Sequence, residues 1–228
     1  MSWFRRLSQT PVTAGLLVAN VLVFALMAFP TRHFTAFNSE ELIMAGANLA
    51  GIRVDVTHWR WLSAAFIHVN LLHILMNMWV LSQIGAVSEA AIGRGLIAAS
   101  YVVTGTAGNM LSSAIANMRG RPLISAGASG AIMGLIGIAV VFAWRTGQKA
   151  IAKNLLMNVG LVLLMGVLVN GVDNGAHIGG LLAGGAIGYL RVRWPRPFPR
   201  WLDILLLGLS AVVSVAAFLI VWSYGGTR

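Results

Sequence analysis

Ser129 is the residue whose type and surroundings most clearly suit chemistry. It lies in the run Ser125-Ala126-Gly127-Ala128-Ser129-Gly130, where a loop gives way to an apolar segment. The small neighbours leave the serine oxygen unshielded, and backbone N–H groups at a helix start have no partners within the helix. A serine in this setting can act as a nucleophile, with nearby N–H groups holding the developing oxyanion.

Histidines in other apolar segments can supply the base that such a serine needs. His68 and His73 lie in a second segment and His177 in a sixth, and ionisable groups inside membrane spans are functional candidates because they are costly there. Ser129 and His177 therefore suggest a nucleophile and its base. Asn77 follows His73 by four residues on the same helical face, so both can donate to an oxyanion together with the Ser129 N–H.

Helix rise predicts that these residues lie at a similar depth. Ser129 precedes Arg145 by 16 positions, or roughly 24 Å, and His177 precedes Arg191 by 14 positions, or roughly 21 Å. His73 precedes Glu89 by 16 positions, which is again roughly 24 Å. Small residues would let the helices approach closely. The glycines expected at that contact are Gly130, Gly134, Gly137, Gly180, Gly184 and Gly188.

Composition places these residues in a membrane protein. Of 228 residues, 58% are hydrophobic and 10% are charged, and the mean hydropathy is +0.81, which favours an all-α polytopic membrane protein. The net charge of +10 lies mostly in short connections, where it sets topology, and no basic stripe with interleaved aromatics predicts nucleic-acid binding. The predicted apolar segments are 13–29, 64–87, 95–116, 128–144, 155–169, 175–190 and 202–224.

The connections complete the predicted organisation. Residues 1–12 form a short cytoplasmic N-terminus, 30–63 a long interfacial and partly helical loop, and 191–201 a stiff basic linker. With the N-terminus inside, ten basic residues are cytoplasmic and six are outside. This bias favours a cytoplasmic N-terminus and an external C-terminus. The absence of cysteine excludes disulfides and thiolate chemistry.

Four motifs in order give the chain a family resemblance. Residues 127–130 match a G-x-S-G pattern, 176–180 an A-H-x-G-G pattern, 73–77 an H-x-x-x-N pattern, and Trp59-Arg60 a W-R pair in the long loop. On these residues the chain resembles the rhomboid family of intramembrane serine proteases. The resemblance runs over roughly residues 11–190.

The resemblance implies a function and a set of roles. It implies a Ser129–His177 dyad and an oxyanion hole formed by His73, Asn77 and the Ser129 N–H. It implies cleavage of transmembrane substrates near the outer membrane face, with no cofactor or metal. The fold implied is a six-helix catalytic core over 13–190 with a seventh helix over 202–224. Residues with supporting roles at the site would be His68, Gly127, Gly130, Met133, Trp59 and Arg60.

One position departs from the family pattern. Met133 stands four residues after the serine, where many members carry an aromatic residue packed on the catalytic histidine. Methionine is flexible and can still pack on an imidazole edge. Short loops and a very short N-terminal region favour a bacterial plasma-membrane enzyme.

Other interpretations remain open. The chain can be a non-catalytic rhomboid-like protein that binds client helices, or a small transporter, although transporters more typically carry acidic pairs or broken helices at the midplane. Asp173 can be read as a third triad member, but its place before a helix favours a cap. Glu89 is expected to bind Arg94 or backbone groups. No H-E-x-x-H pattern is present, which disfavours an intramembrane zinc protease.

Overall fold

A computed structural model describes residues 9–51, 58–194 and 198–225, without the side chains of 222, 224 and 225. The charge bias and the loop assignments above include residues that fall outside these ranges, namely Arg5, Arg6, Arg53, Asp55, Pro195, Arg196, Pro197 and Arg228. In chain order the described helices are α1 Pro11–Thr31, α2 Ser39–Ala45, α3 Arg60–Ser63, α4 Leu71–Ile92, α5 Arg94–Arg119, α6 Ser129–Arg145, α7 Lys149–Leu168, α8 Asn174–Arg193 and α9 Arg200–Gly225.

The fold is that of an all-α multi-pass membrane protein, as predicted. Each of the seven apolar segments overlaps one long helix, namely α1 and α4 to α9. By length and composition, α1, α4, α7 and most of α9 can each cross a membrane. α6 is a shorter apolar helix, and α5 and α8 are less apolar.

The second apolar segment is not one helix from residue 64, and this corrects the placement of His68. Ala64–Phe66 forms a 3-10 turn, Ile67 has an extended backbone, and α4 begins only at Leu71. Asn70 determines this start, because its side chain accepts a hydrogen bond from the His73 N–H at 2.7 Å. His68 therefore lies before the helix.

The long connection after α1 is partly helical, as expected, and it also contributes a strand. α2 begins with a capping box between Asn38 and Glu41. β1, Asn48–Ala50, pairs antiparallel with β2, Leu123–Ser125, so that Asn48 lies opposite Ser125. The all-α prediction missed this sheet because each strand has only three residues.

Glu89 fixes the start of α1 against the end of α4. Its carboxylate accepts hydrogen bonds from the Val12 N–H at 3.2 Å, the Thr13 N–H at 2.7 Å and the Thr13 hydroxyl at 2.7 Å. The Nε of Arg94 lies 4.0 Å away. The predicted role of Glu89 as a partner for Arg94 or backbone groups is confirmed, with the backbone contacts being the shorter ones.

Candidate active site

Ser129 is the first residue of α6 and follows a turn that requires glycine. β2 ends at Ser125, and Gly127 has a φ of +145°, in the region that favours glycine. A Cβ atom at Gly127 would lie 2.7 Å from the Cε1 atom of His73. Glycine is therefore needed here both for the backbone conformation and for the room that the His73 ring occupies.

Two hydrogen bonds hold this loop against the segment before α4. The Gly127 N–H donates to the Ala64 carbonyl at 2.9 Å, and the Ala128 N–H donates to Nε2 of His68 at 3.4 Å. His68 is fully buried, and its ring centroid lies 5.2 Å from that of His73. His68 therefore contacts the backbone next to Ser129.

His177 lies in the first turn of α8 and reaches the serine. Its Nε2 atom is 2.9 Å from Oγ of Ser129. The turn is fixed by Asp173, whose carboxylate accepts from the Ala176 N–H at 3.0 Å and from the Ser112 hydroxyl. Asp173 is thus the helix cap that was predicted.

Glycines on both helices, beginning with Gly130, allow the backbones of α6 and α8 to come into direct contact. A Cβ atom at Gly180 would lie 1.9 Å from the Gly130 carbonyl oxygen, and one at Gly184 would lie 1.9 Å from that of Gly134. Neither position has room for any side chain. The close approach expected from the glycine spacing is therefore present, and it brings the two helices near enough for the Ser129–His177 contact.

His73 and Asn77 lie on one face of α4, and the structure brings the His73 ring to the loop. The ring packs against Gly127, because a Cβ atom added to that glycine would lie 2.7 Å from Cε1 of His73. Asn77 is buried one turn further along, and its Nδ2 donates to the His73 carbonyl at 2.8 Å. That bond uses one of the two amide N–H groups of Asn77.

The remaining predicted site residues are placed around this centre. Met133 is buried in the core one turn after Ser129. Arg60 donates from Nη1 to the carbonyls of Ile43 at 2.6 Å and Ala47 at 3.1 Å, and its guanidinium lies 4.4 Å from the Trp59 ring centroid. Burial lowers the pKa of the Arg60 guanidinium from its ordinary value. These contacts tie Arg60 to the carbonyls at the end of α2 and just before β1, within the long connection.

Several residues that support the site were not foreseen. The Tyr101 hydroxyl, fully buried, donates to the Ala65 carbonyl at 2.9 Å and accepts from Nδ2 of Asn20 at 3.0 Å. A polar residue inside each of two apolar segments was a usable signal for this pair. Ser112 carried no such signal, because serine is common at helix contacts in membranes.

Within the described ranges, no cluster of three or more His, Cys, Asp or Glu side chains is arranged to hold a metal ion. The functional groups that the fold gathers are a hydroxyl, three imidazoles and backbone N–H groups.

Comparison with known proteins places this arrangement in a family. The family model for the Rhomboid domain matches residues 56–194, which is more than half of the chain. The chain belongs to the rhomboid family. This region contains the four motifs and the two helices that carry Ser129 and His177.

Individual relatives of the rhomboid family differ in how much they share. Rhomboid-like protease 2 of Toxoplasma gondii is 32% identical over 79% of this chain and 64% of its own length. Rhomboid protease GluP of Bacillus subtilis (strain 168) is 29% identical over 64% of the chain and 29% of its own length. Rhomboid protease AarA of Providencia stuartii is 26% identical over 96% of the chain and 84% of its own length. The chain thus spans less than two thirds of the first two.

Proposed function

We propose that this rhomboid is an intramembrane serine endopeptidase with Ser129 as nucleophile and His177 as base. The observation that carries the proposal is the 2.9 Å contact between Oγ of Ser129 and Nε2 of His177. This distance is within the range for proton transfer between a nucleophile and its base. The relatives that are named as proteases give independent support.

The proposed reaction follows from the atoms in contact. With its proton on Nδ1, the neutral His177 imidazole accepts the Ser129 proton at Nε2 while Oγ attacks the substrate carbonyl carbon. The tetrahedral intermediate collapses to an ester on Ser129, and the imidazolium gives its proton to the leaving amine. Water then hydrolyses the ester by the same route. Asp173 serves as a cap and is no part of the proton transfer.

The proposed oxyanion site is the space between α4 and the start of α6. The Ser129 N–H and the His73 ring flank the turn at Gly127, and Asn77 lies one helical turn from His73. All three groups can donate to a negatively charged oxygen. Within this proposal His68, Gly127 and Gly130 hold the nucleophile, and Met133 packs beneath it.

The proposed substrates are transmembrane proteins, cut near the outer face of the bilayer without cofactor or metal. The site helices belong to a core over residues 13–190, and the broad apolar surfaces of α1 and α7 face lipid. We place the enzyme in a bacterial plasma membrane, with its N-terminus in the cytoplasm and its C-terminus outside. The positive charge of the inner loops supports this orientation.

Labelling with a fluorophosphonate probe tests the nucleophile without a known substrate. The purified full chain in detergent should be labelled at Ser129, whereas Ser129→Ala should show no labelling. His177→Ala should lower labelling by at least about 10³-fold, because the base is lost. Ser214→Ala is the matched control, since this serine on α9 donates only to the carbonyl of Ser210 among the described contacts.

Cleavage of a reporter transmembrane segment in liposomes tests the reaction itself. The parent chain should cleave it and the Ser129 and His177 variants should not. Equal cleavage by those variants would contradict the dyad. A folded parent that neither reacts with the probe nor cleaves the reporter would favour the client-binding or transporter interpretation.

A further inference from the structure

The short segment Ala64–His68 holds the backbone beside Ser129, and we call it the bracket. Its Ala64 carbonyl accepts from the Gly127 N–H, and its His68 ring accepts from the Ala128 N–H. Both bonds lie within two residues of Ser129. A shift of the bracket therefore shifts the loop that aims the serine.

The last helix reaches the bracket from outside the family-model region. Phe218 of α9 packs on the core, and its ring centroid lies 5.8 Å from that of Phe66, with the ring planes at 70°. This is the edge-to-face arrangement that aromatic pairs prefer. Ala217 beside it is 4% exposed, although most of α9 is turned outward. Phe66 is the middle residue of the bracket, between Ala64 and His68, which bind the loop.

α9 is fixed at its other end by a charged contact. The carboxylate of Asp203 accepts from the N–H of Gly95 in the first turn of α5 at 2.6 Å. A negative group at a helix start is favoured by the unpaired N–H groups there. A Cβ at Gly95 would lie 2.4 Å from the Asp203 carbonyl oxygen, so the two helices meet at backbone distance.

A third contact lies beyond Phe218. A Cβ at Gly46, in the long connection, would lie 2.8 Å from Cγ2 of Val221. The Gly46 carbonyl also accepts from the Ser63 hydroxyl at 2.7 Å, immediately before the bracket. α9 is thus contacted near its start, at Asp203, and again towards its end, at Val221, so that contacts lie on both sides of Phe218.

We propose that α9 is a support for the active site rather than an added membrane anchor, and that Phe218 is a positioning residue acting through Phe66. The proposal rests on the proposed function, because it concerns the aim of Ser129. The chain of contacts is Phe218 to Phe66, then the bracket, then Gly127 and Ala128. Loss of the Phe218–Phe66 contact lets the bracket move. This lowers the reactivity of Ser129 although its contact with His177 is unchanged.

Variants of Phe218 in the full chain provide the test. Phe218→Leu keeps most of the apolar volume and loses the ring contact, and Phe218→Ala removes both. The control is Leu219→Ala on the next residue, whose side chain is 65% exposed. The rate of fluorophosphonate labelling of Ser129 and the unfolding midpoint are measured for each variant in the same detergent.

We expect labelling to fall by about tenfold in Phe218→Ala and by about threefold in Phe218→Leu, since small misplacements of a nucleophile are costly. Leu219→Ala should label like the parent. In reporter cleavage, kcat should fall while KM stays near the parent value. A purely structural role would lower the unfolding midpoint and leave the labelling rate of folded protein unchanged.

A double-mutant cycle decides whether the effect passes through the ring contact. If it does, Phe66→Leu combined with Phe218→Leu should label no more slowly than the slower single variant. If the double variant instead shows the product of the two single reductions in labelling rate, the proposed route through the ring contact is wrong. Phe218 variants that label at the parent rate would overturn the proposal. A folded parent chain that neither labels with the probe nor cleaves the reporter would instead overturn the proposed function.

Discussion

α7 and α8 are each 20 residues long and adjacent in the chain, yet they are attached to the protein in opposite ways. α8 is buried along one face, through residues that include five glycines. In α7 only Ala152 and Val159 are buried. The more apolar of the two helices is therefore the less enclosed by protein.

This difference shows what holds a helix in place inside a bilayer. Lipid is as apolar as a leucine side chain, so hydrophobicity alone does not drive one helix against another. Close backbone approach does, and glycine permits it. The helix that carries His177 is fixed by such contacts against α6, whereas α7 presents its apolar side chains mainly to lipid.

The largest expected effect comes from filling the α6–α8 contact. Gly184→Ala places a methyl group 1.9 Å from the Gly134 carbonyl oxygen, so the helices must separate. We expect destabilisation of about 3 kcal/mol and loss of probe labelling at Ser129. The control is Gly185→Ala on the same helix, where a Cβ would meet nothing within 4 Å. Equal labelling and equal unfolding midpoints for the two variants would break the comparison.

The next effect concerns the start of α8. Asp173→Ala removes the cap and the partner of the Ser112 hydroxyl, and should cost about 1–2 kcal/mol. Unfolding in detergent measures this, and Ser129 labelling should fall because His177 lies in the uncapped turn. Asp173→Asn retains an oxygen that can cap and should stay near the parent. A loss in Asp173→Asn as large as that in Asp173→Ala would instead point to a role for the negative charge.

A smaller effect is expected where α7 comes close to α8. A Cβ at Gly166 would lie 2.1 Å from Oδ1 of Asn174, whose Nδ2 donates to the Leu163 carbonyl at 2.9 Å. Gly166→Ala should displace this side chain and cost about 0.6 kcal/mol, a usual value for such bonds in membranes. Gly160→Ala, with nothing within 4 Å of its Cβ, is the control. Thermal unfolding of both variants sharpens the estimate of how firmly α7 is held.

The smallest effect is expected on the lipid side of α7. Leu161 is 54% exposed, and Leu161→Ala should change stability by less than about 0.5 kcal/mol and leave labelling unchanged. The same assays measure it. A loss as large as that for Asp173→Ala would mean that this face of α7 contacts protein in the folded molecule.

The sequence predicted the long helices and the residues gathered at the candidate site better than it predicted their supports. Apolar segments and glycine spacing are properties of one helix at a time, so α6, α8 and their contact could be inferred from residues alone. The bracket could not, because Ala64 acts through its carbonyl and carries no side-chain signal. His68 was assigned to a helix because the apolar run is continuous across the turn that Asn70 ends. The roles proposed for Ser129, His177, His73 and Asn77 stay predictions until the variants are measured.

The hydrogen bond between Asn20 and Tyr101 also bears on how the chain is assembled. The two residues are 81 positions apart, and Thr13 and Glu89 are 76 apart, so both partners of α1 are synthesised long after it. α1 is therefore made before the groups that hold it in the folded protein exist. In that interval the amide of Asn20 has a partner within its own helix, the Leu16 carbonyl at 2.8 Å. The Asn20 amide of α1 can therefore keep a hydrogen-bond partner in the membrane before α5, with Tyr101, has been synthesised.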